Sequence, residues 1–343
     1  MQIRYAVAGM PIQHSLSPIL AVLTANHLKQ AGLEVEIEQI ELLESDNITS
    51  PMAWAWVSKS PQTIEIHNQL YGDPSTEIAH SRLHRVSSDV LSKVKTADSE
   101  YVPNGETLFH DSIERTKIRR GENESWISLT SPLKHLLSTR SGVYPIDSSL
   151  ENGAVNQLRW DGKNWYCAGT DGLGIVSLAR HFGADFDLKG VESPLLCMIG
   201  GGGAARSCAA AWSDAGGSIW SMGGRRPLDK RGSWVEKLIS GDQVVDHIGT
   251  RIFIDFDTEP GVPADIRTAD SDLQIHSSYN SQEVGSVVQH SESGIELDGR
   301  WLLAAQHLEA WAQIFSPEAA HLLPGLGLTM TRLLAMESAL MID

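Results

Sequence analysis

The chain has 343 residues, a length that accommodates two ordinary domains. Hydrophobic residues make up 41% and charged residues 20%, a balance typical of globular proteins rather than disordered ones. The formal net charge of -16 disfavours binding to nucleic acid or to an anionic membrane surface. No apolar run reaches the roughly 20 residues of a membrane-spanning helix, and the N-terminus lacks the pattern of a signal peptide. We therefore expect a cytoplasmic protein, a monomer or homodimer, that binds a small molecule.

The candidate metal ligands are three cysteines and one pair of histidines. Cys167, Cys197 and Cys208 lie at wide spacings among apolar or small residues. Three cysteines without a C-x-x-C pair predict buried thiols in a reducing compartment and disfavour a structural zinc site. His80 and His84 have a spacing that suits a metal on one helical face, but no carboxylate motif accompanies them. We interpret them as a solvated pair and expect no metal site.

The predicted elements begin with a strand at residues 3–9 and an alternating strand at residues 33–42. A helix lies between them, with Ser17 as its N-cap, Pro18 at its first position and Gly32 after its last turn. These signals are typical of the start of an α/β domain.

A long polar segment follows. Residues 50–125 lack strong apolar periodicity, apart from one candidate helix at residues 76–95. We interpret the segment as an insertion and prefer a surface elaboration to a lid or a contact for another protein.

Regular periodicity resumes with a strand, "SWISLT", and a predicted helix that begins in "SPLKHLLSTR". Two short strands then flank a turn at Asp161 and Gly162, and a helix starts near Asp171. Farther on, apolar strands alternate with helices up to two C-terminal helices at 299–315 and 327–342. This alternation predicts an α/β fold with parallel sheets.

A glycine run, "CMIGGGGAARS", separates an apolar strand from an alanine-rich helix. Gly200, Gly202 and Gly203 allow a tight turn and a close approach of the backbone to a pyrophosphate, and Ala204 opens the helix. A tight turn without a ligand is the alternative. The flanking strand and helix lie on the correct sides of the turn, which favours nucleotide binding.

The residues after the next strand bear on the cofactor. An NAD site usually has an acid there, whereas this chain has Arg225 and Arg226. A guanidinium can bind a 2′-phosphate with two hydrogen bonds. The pair favours NADP, with NAD as the alternative cofactor and a pair of solvated arginines as the alternative interpretation.

The motifs "AVAGMPIQHSLSP", "SLTSPLKHLL", "GAVNQL", "TDGLG", "GGGGAARS" and "LLAAQHLEAW" occur in an order that resembles the shikimate dehydrogenase family. The resemblance covers most of the chain outside residues 50–125. It implies two α/β domains with a cleft between them: a substrate domain at 1–171, a Rossmann-like NADP-binding domain at 172–299, and C-terminal helices at 300–343 that return to the substrate domain.

The resemblance also implies residue roles. Lys134 resembles the catalytic lysine of the family and Asp171 its partner acid. The residues that resemble the substrate pocket are Ser15, Ser17, Thr130, Asn156, Tyr279 and Gln306. The two serine hydroxyls beside a helix N-terminus suit a carboxylate, and an ammonium near a ketone suits hydride reduction, because it stabilises the developing oxyanion and donates the proton. A solvated turn lysine is the alternative interpretation of Lys134.

The sequence departs from the family pattern at several positions. Asparagine is usual where this chain has Ser128 and Gly169, and asparagine-arginine-threonine is usual where it has Gly224, Arg225 and Arg226. Because Lys134 and Asp171 are retained, we expect a divergent, active NADP-dependent shikimate dehydrogenase of aromatic amino-acid biosynthesis. The alternatives are a quinate/shikimate dehydrogenase that uses NAD, and a nucleotide-binding regulatory homologue without turnover.

Overall fold

The structure is a computed structural model, and it describes residues 2–56, 65–67, 77–95, 123–257, 271–279, 287–291 and 294–342. Two six-stranded sheets with helices packed on them form the described part of the chain. This is the α/β class that the alternation of strands and helices predicts, and the two sheets agree with the two α/β domains that the resemblance implies. The domain boundaries at 171/172 and 299/300 stay predictions.

The first sheet contains the N-terminal strands. Its strands are β1 (Gln2–Gly9), β2 (Glu36–Glu44), β5 (Asn123–Leu129), β6 (Tyr144–Pro145), β7 (Gln157–Trp160) and β8 (Trp165–Ala168). Their order across the sheet is β2-β1-β5-β7-β8-β6. β1 is buried along almost its whole length, as its near-continuous apolar sequence predicts for a central strand. Two further short strands, β3 (Glu65–His67) and β4 (Glu77–Ala79), form a separate hairpin.

The pairing in the first sheet corrects the expectation of parallel sheets. β1 pairs in parallel with β2 and β5, but β7 is antiparallel to both β5 and β8. β7 and β8 are joined by the short turn at Asp161 and Gly162, where Gly162 has a φ of 90°. Because so short a connection can only reverse the chain, these two strands are necessarily antiparallel.

The second sheet is a Rossmann-type sheet. Its strands are β9 (Leu195–Ile199), β10 (Ser218–Ser221), β11 (Arg251–Asp255), β12 (Leu273–His276), β13 (Val288–Ser291) and β14 (Gly294–Leu297). The order is β10-β9-β11-β12-β14-β13, and every pair is parallel except the edge pair β13/β14. The carboxyl ends of the central strands therefore meet at one edge, where ligands of open α/β sheets bind.

The helices cover both sheets. They are α1 (Ser17–Gln30), α2 (Thr49–Trp56), α3 (His80–Lys93), α4 (Thr170–His181), α5 (Gly203–Ala215), α6 (Gly241–Val245), α7 (Gly299–Ala310) and α8 (Leu326–Ile342). A π-helical segment, Trp311–Phe315, continues α7. α4 contacts both α5 and α7, and thus links the elements on either side of the cleft. Among the described helices, none combines the length and the apolar character needed to cross a bilayer.

Three local predictions need correction. The N-cap of α1 is Leu16, and Ser17 is the first helical residue, so Pro18 occupies the second position of the helix. The helix predicted from "SPLKHLLSTR" is a single 3-10 turn, Leu133–His135, which places Lys134 on a turn. α3 lies within the supposed surface insertion, yet Leu83 and Leu91 are fully buried against the core. The rest of that segment, at 57–64, 68–76 and 96–122, lies outside the described residues.

Candidate active site between the two sheets

A cleft of about 250 Å³ lies between the two sheets. β1, β5, the start of α1, the segment after β12 and α7 all contribute lining residues. The segment after β12 contacts the start of α1 through Tyr279. All eight residues predicted for catalysis or for the substrate pocket line this cleft: Ser15, Ser17, Thr130, Lys134, Asn156, Asp171, Tyr279 and Gln306. Residues far apart in the sequence thus converge on one cavity.

Lys134 and Asp171 form an ion pair in this cleft. Lys134 Nζ donates to Asp171 Oδ2 at 2.6 Å, and the side chain of Asp171 is only 2% exposed whereas that of Lys134 is 19% exposed. The buried carboxylate holds the ammonium at the cavity surface. Such an arrangement can present a positive charge and a proton to a bound oxygen atom.

Asn156 fixes the carboxylate in turn. Its Nδ2 donates to Asp171 Oδ1 at 2.7 Å, and its Oδ1 accepts from the backbone N–H of Thr170 at 2.7 Å. Both oxygen atoms of Asp171 therefore have a partner. The short turn before β7 and the first turn of α4 are held together through this asparagine.

The N-terminus of α1 forms a second polar region of the cleft. Ser15 Oγ accepts from the backbone N–H of Ser17 at 3.3 Å, and the hydroxyl of Tyr279 accepts from the backbone N–H of Leu16 at 3.1 Å. Burial, the largest cause, raises the pKa of Tyr279 to about 12, so the hydroxyl stays protonated. Three hydroxyl groups at the positive end of a helix suit a carboxylate ligand.

The glycine turn borders the same cleft. Gly200 has a φ of 102°, and Gly202 is the N-cap of α5, where an added Cβ would meet nothing within 4 Å. A Cβ on Gly203 would lie 3.2 Å from Cβ of Lys134, and Ala204 lines the cleft. Open space above the N-terminus of a 13-residue helix, directly beside Lys134, fits the pyrophosphate of a dinucleotide.

The loop after β10 packs against this turn. A Cβ on Gly201 would lie 2.7 Å from the backbone oxygen of Arg226, so the turn and the arginine pair are adjacent. Arg225 and Arg226 are both exposed and do not line the cleft itself. The carboxylate of Asp257, after β11, accepts a hydrogen bond from the backbone N–H of Arg225.

A polar wall of the cleft was not predicted from the sequence. Ser128, noted above only as a departure from the family pattern, donates its hydroxyl proton to Gln157 Oε1 at 2.9 Å. The hydroxyl of Tyr5 lies 2.8 Å from Ser128 Oγ and is therefore the donor of the bond between these two hydroxyls. Gln157 Nε2 donates to Thr170 Oγ1 at 3.3 Å. His307 lines the cavity beside them. The adjacency of His307 to Gln306 was the one signal available in the sequence.

The histidine and cysteine predictions have different outcomes. His80 and His84 are half-buried, and Nε2 of each lies within 3.0 Å of the backbone oxygen of Ile37, so the prediction of a solvated pair was wrong. Cys167, Cys197 and Cys208 are free and buried, as predicted. Within the described ranges, no group of three histidine, cysteine or acidic side chains is placed to hold a metal ion.

Comparisons with known proteins agree with the two-sheet architecture. No family model matches the sequence, and no curated protein matches it. Among solved structures, the chain is similar to shikimate dehydrogenase from Aquifex aeolicus, with 17% identity, a TM-score of 0.51 and 97% of each chain covered. It is also similar to shikimate 5-dehydrogenase from Thermus thermophilus in complex with NADP(H) and shikimate, with 18% identity, a TM-score of 0.53, and 97% of this chain and 99% of that chain covered. The chain thus has the two-domain α/β fold of the shikimate dehydrogenases, with a Rossmann-type domain as its second unit.

Proposed function

We propose that this chain is a divergent, active shikimate dehydrogenase that interconverts 3-dehydroshikimate and shikimate with NADP(H). The observation that carries the proposal is the Lys134–Asp171 ion pair, 2.6 Å long, in a cleft that also reaches the glycine turn. A regulatory protein without turnover would not need the buried carboxylate of Asp171 to hold the Lys134 ammonium beside the glycine turn.

The cleft has a polar group for each part of such a substrate. The carboxylate would lie at the N-terminus of α1, against Ser15, Ser17 and Tyr279, because hydroxyl donors and the helix dipole favour an anion there. The ring hydroxyls would then face Asn156 and Asp171. Thr130 and Gln306 line the remaining cavity surface.

The residues at the glycine turn fit a dinucleotide phosphate. The open space at Gly202, between Gly200 and Gly203, leaves room for the pyrophosphate at the start of α5, and Arg225 would contact the 2′-phosphate. When bound, NADPH supplies the hydride for the ketone carbon. The proximity of Gly203 to Lys134 supports a nicotinamide site beside the substrate.

Lys134 would carry the proton transfer. As the ketone oxygen gains negative charge, the ammonium stabilises it and gives it a proton, forming the new O–H bond and leaving a neutral amine. Asp171 keeps the ammonium in position, and Asn156 keeps Asp171 in position. The reverse reaction uses the amine as the base for the substrate hydroxyl.

The test is NADPH formation by the purified protein with shikimate and NADP, and in parallel with quinate and with NAD. Lys134→Ala should lower kcat by about 100- to 1,000-fold, the usual effect of removing one group that stabilises an oxyanion. Lys163→Ala, which changes an exposed lysine in the turn between β7 and β8, is the matched control and should keep full activity. Absence of turnover with every pairing would overturn the proposal.

One observation favours NAD as a second candidate cofactor. Asp257 places its carboxylate against the glycine turn and against the backbone N–H of Arg225. An acid at this edge repels a 2′-phosphate and can accept hydrogen bonds from ribose hydroxyls. If NADP is the cofactor, Arg225→Ala should raise KM for NADP about 10-fold and change KM for NAD little. A larger effect of Asp257→Asn on KM for NAD would favour NAD instead.

A further inference from the structure

His307 differs from the other polar residues on the wall where it lies. It belongs to α7, is 3% exposed, and lines the cleft. Its ring packs against Tyr5, with centroids 6.4 Å apart. Tyr5, Ser128 and Gln157 satisfy one another through hydrogen bonds, whereas the buried Nδ1 of the His307 ring has no hydrogen-bond partner among the described residues. A buried polar group without a partner is uncommon and calls for an explanation.

The two ring nitrogen atoms of His307 have different surroundings. Nδ1 is sealed from solvent and has no partner among the described residues. Nε2 is not sealed in this way, and the residue lines the cavity. Buried N–H groups without a partner are rarer than buried acceptors without one, so the favoured tautomer carries its proton on Nε2. This tautomer directs one N–H donor toward the cleft.

The ring is also uncharged. Burial lowers the pKa of His307 to about 3, so the imidazole is neutral throughout the physiological range. A neutral N–H suits an uncharged oxygen better than a carboxylate, whose site at the N-terminus of α1 has three hydroxyl groups and a helix dipole. In the proposed function the ketone faces Lys134 and the carboxylate lies at α1, so the group left for this donor is a ring hydroxyl.

We propose that His307 is a specificity-determining residue whose Nε2–H donates to one ring hydroxyl of the substrate. The assignment rests on the proposed function, since a cyclic polyhydroxy acid is the substrate class that places its carboxylate at α1 and a hydroxyl at α7. This hydrogen bond from α7 is additional to the contacts that Asn156 and Asp171 would make with the ring hydroxyls.

The test measures binding by calorimetry for shikimate and for analogues that each lack one ring hydroxyl. His307→Leu keeps the bulk of the side chain and removes the donor, while His307→Gln restores an N–H near the position of Nε2. His307→Leu should weaken shikimate binding by about 10- to 100-fold and leave the affinity for one of the deoxy analogues within about twofold of the wild-type value. His307→Gln should recover most of the loss. His321→Leu, at an exposed histidine, is the matched control.

Three outcomes decide the matter. An equal loss for shikimate and for every analogue shows that His307 only supports the structure, and it overturns the inference. Unchanged binding by a folded His307→Leu variant also overturns it, while the proposed function stands. If the wild-type protein binds neither shikimate nor any analogue, the proposed function fails and the assignment of His307 fails with it.

Discussion

At the scale of single residues, Gly169 shows how packing decides a departure from the family pattern. It is the N-cap of α4, two residues before Asp171. A Cβ at this position would lie 2.7 Å from Cβ of Ser149 and 3.0 Å from the backbone oxygen of Ala154. The asparagine expected here therefore has no room unless its neighbours shift, so the glycine is a requirement of this packing.

Gly169→Ala should destabilise the protein by about 1–3 kcal/mol, because the new methyl group overpacks a closed contact. Ser149→Gly alone should cost less, and the double variant Gly169→Ala/Ser149→Gly should recover part of the loss, since one of the two close contacts is then removed. Urea unfolding of the four proteins measures the coupling. Strictly additive losses would contradict the packing explanation.

The site residues differ in how far the sequence could predict them. Lys134 and Asp171 lie in short motifs, so resemblance identifies them and the structure places them 2.6 Å apart. Their catalytic roles stay predictions. Gly169 against Ser149, and His307 against Tyr5, are contacts between segments distant in the chain. Periodicity and motif spacing carry no information about such contacts, so neither could be predicted.

At the scale of elements, the sequence predicted most strands and helices but not every direction or type. Apolar alternation locates β7 and β8 without stating that they run antiparallel. The segment after β5 has a helical apolar spacing, but only one 3-10 turn forms, Leu133–His135. The short turn holds Lys134 toward Asp171, so a tertiary contact prevails over local propensity.

The C-terminal helices are held together by a buried ion pair. Arg300, in α7, donates from Nε to Glu337 Oε2, in α8, at 2.9 Å, and both side chains are at most 1% exposed. The guanidinium also lies 5.7 Å from the ring of Tyr279, so the pair adjoins the part of the cleft beside the start of α1. Burial, the largest cause, raises the pKa of Glu337, which makes the carboxylate dependent on its partner.

Arg300→Met should therefore destabilise the protein by about 3–5 kcal/mol, because it leaves Glu337 buried without the partner that compensates its charge. Arg300→Met/Glu337→Leu should regain most of this loss. Lys93→Met, which breaks the exposed pair of Lys93 and Asp89, is the control and should cost less than about 0.5 kcal/mol. Chemical denaturation at pH 7 measures all three. Equal losses for the single and the double variant would show that the ion pair itself contributes stability.

At the scale of the whole molecule, the cleft depends on both sheets. β1 and the turn after β5 contribute lining residues from the first sheet, and the start of α5 and the segments after β11 and β12 contribute them from the second. α4 and α7 also line the cleft and contact each other. In the proposed function, holding Lys134 and Asp171 in one cavity positions the substrate for reaction. The α/β class could be predicted from the alternation of elements and the two domains from the family resemblance. The shape of the shared cleft could not be predicted, because it is set by packing between helices far apart in the sequence.

One buried and three half-buried histidines make the stability of the whole molecule depend on pH. Burial, the largest cause in each case, lowers the pKa of His27, His80, His84 and His307. In the unfolded chain, imidazole titrates near about 6.5. Below that pH the unfolded state binds protons that the folded state does not, so the free energy of unfolding falls as the pH falls from about 6.5 toward the folded pKa values.

His80→Gln/His84→Gln tests this dependence, because glutamine can still donate to the backbone oxygen of Ile37 but does not titrate. Values of about pH 7.5 and about pH 5 bracket the titration of free imidazole. Between them, the free energy of unfolding should fall less for the variant than for the wild type. The two proteins should differ least in slope above about pH 7, where both states are neutral. Urea unfolding at several pH values gives the comparison, and His14→Gln, at an exposed histidine, is the control. If the free energy of unfolding depends on pH in the same way for the wild type and the double variant, the pair near Ile37 does not contribute to the loss of stability in acid. His27 and His307 are then the remaining histidines with a lowered pKa.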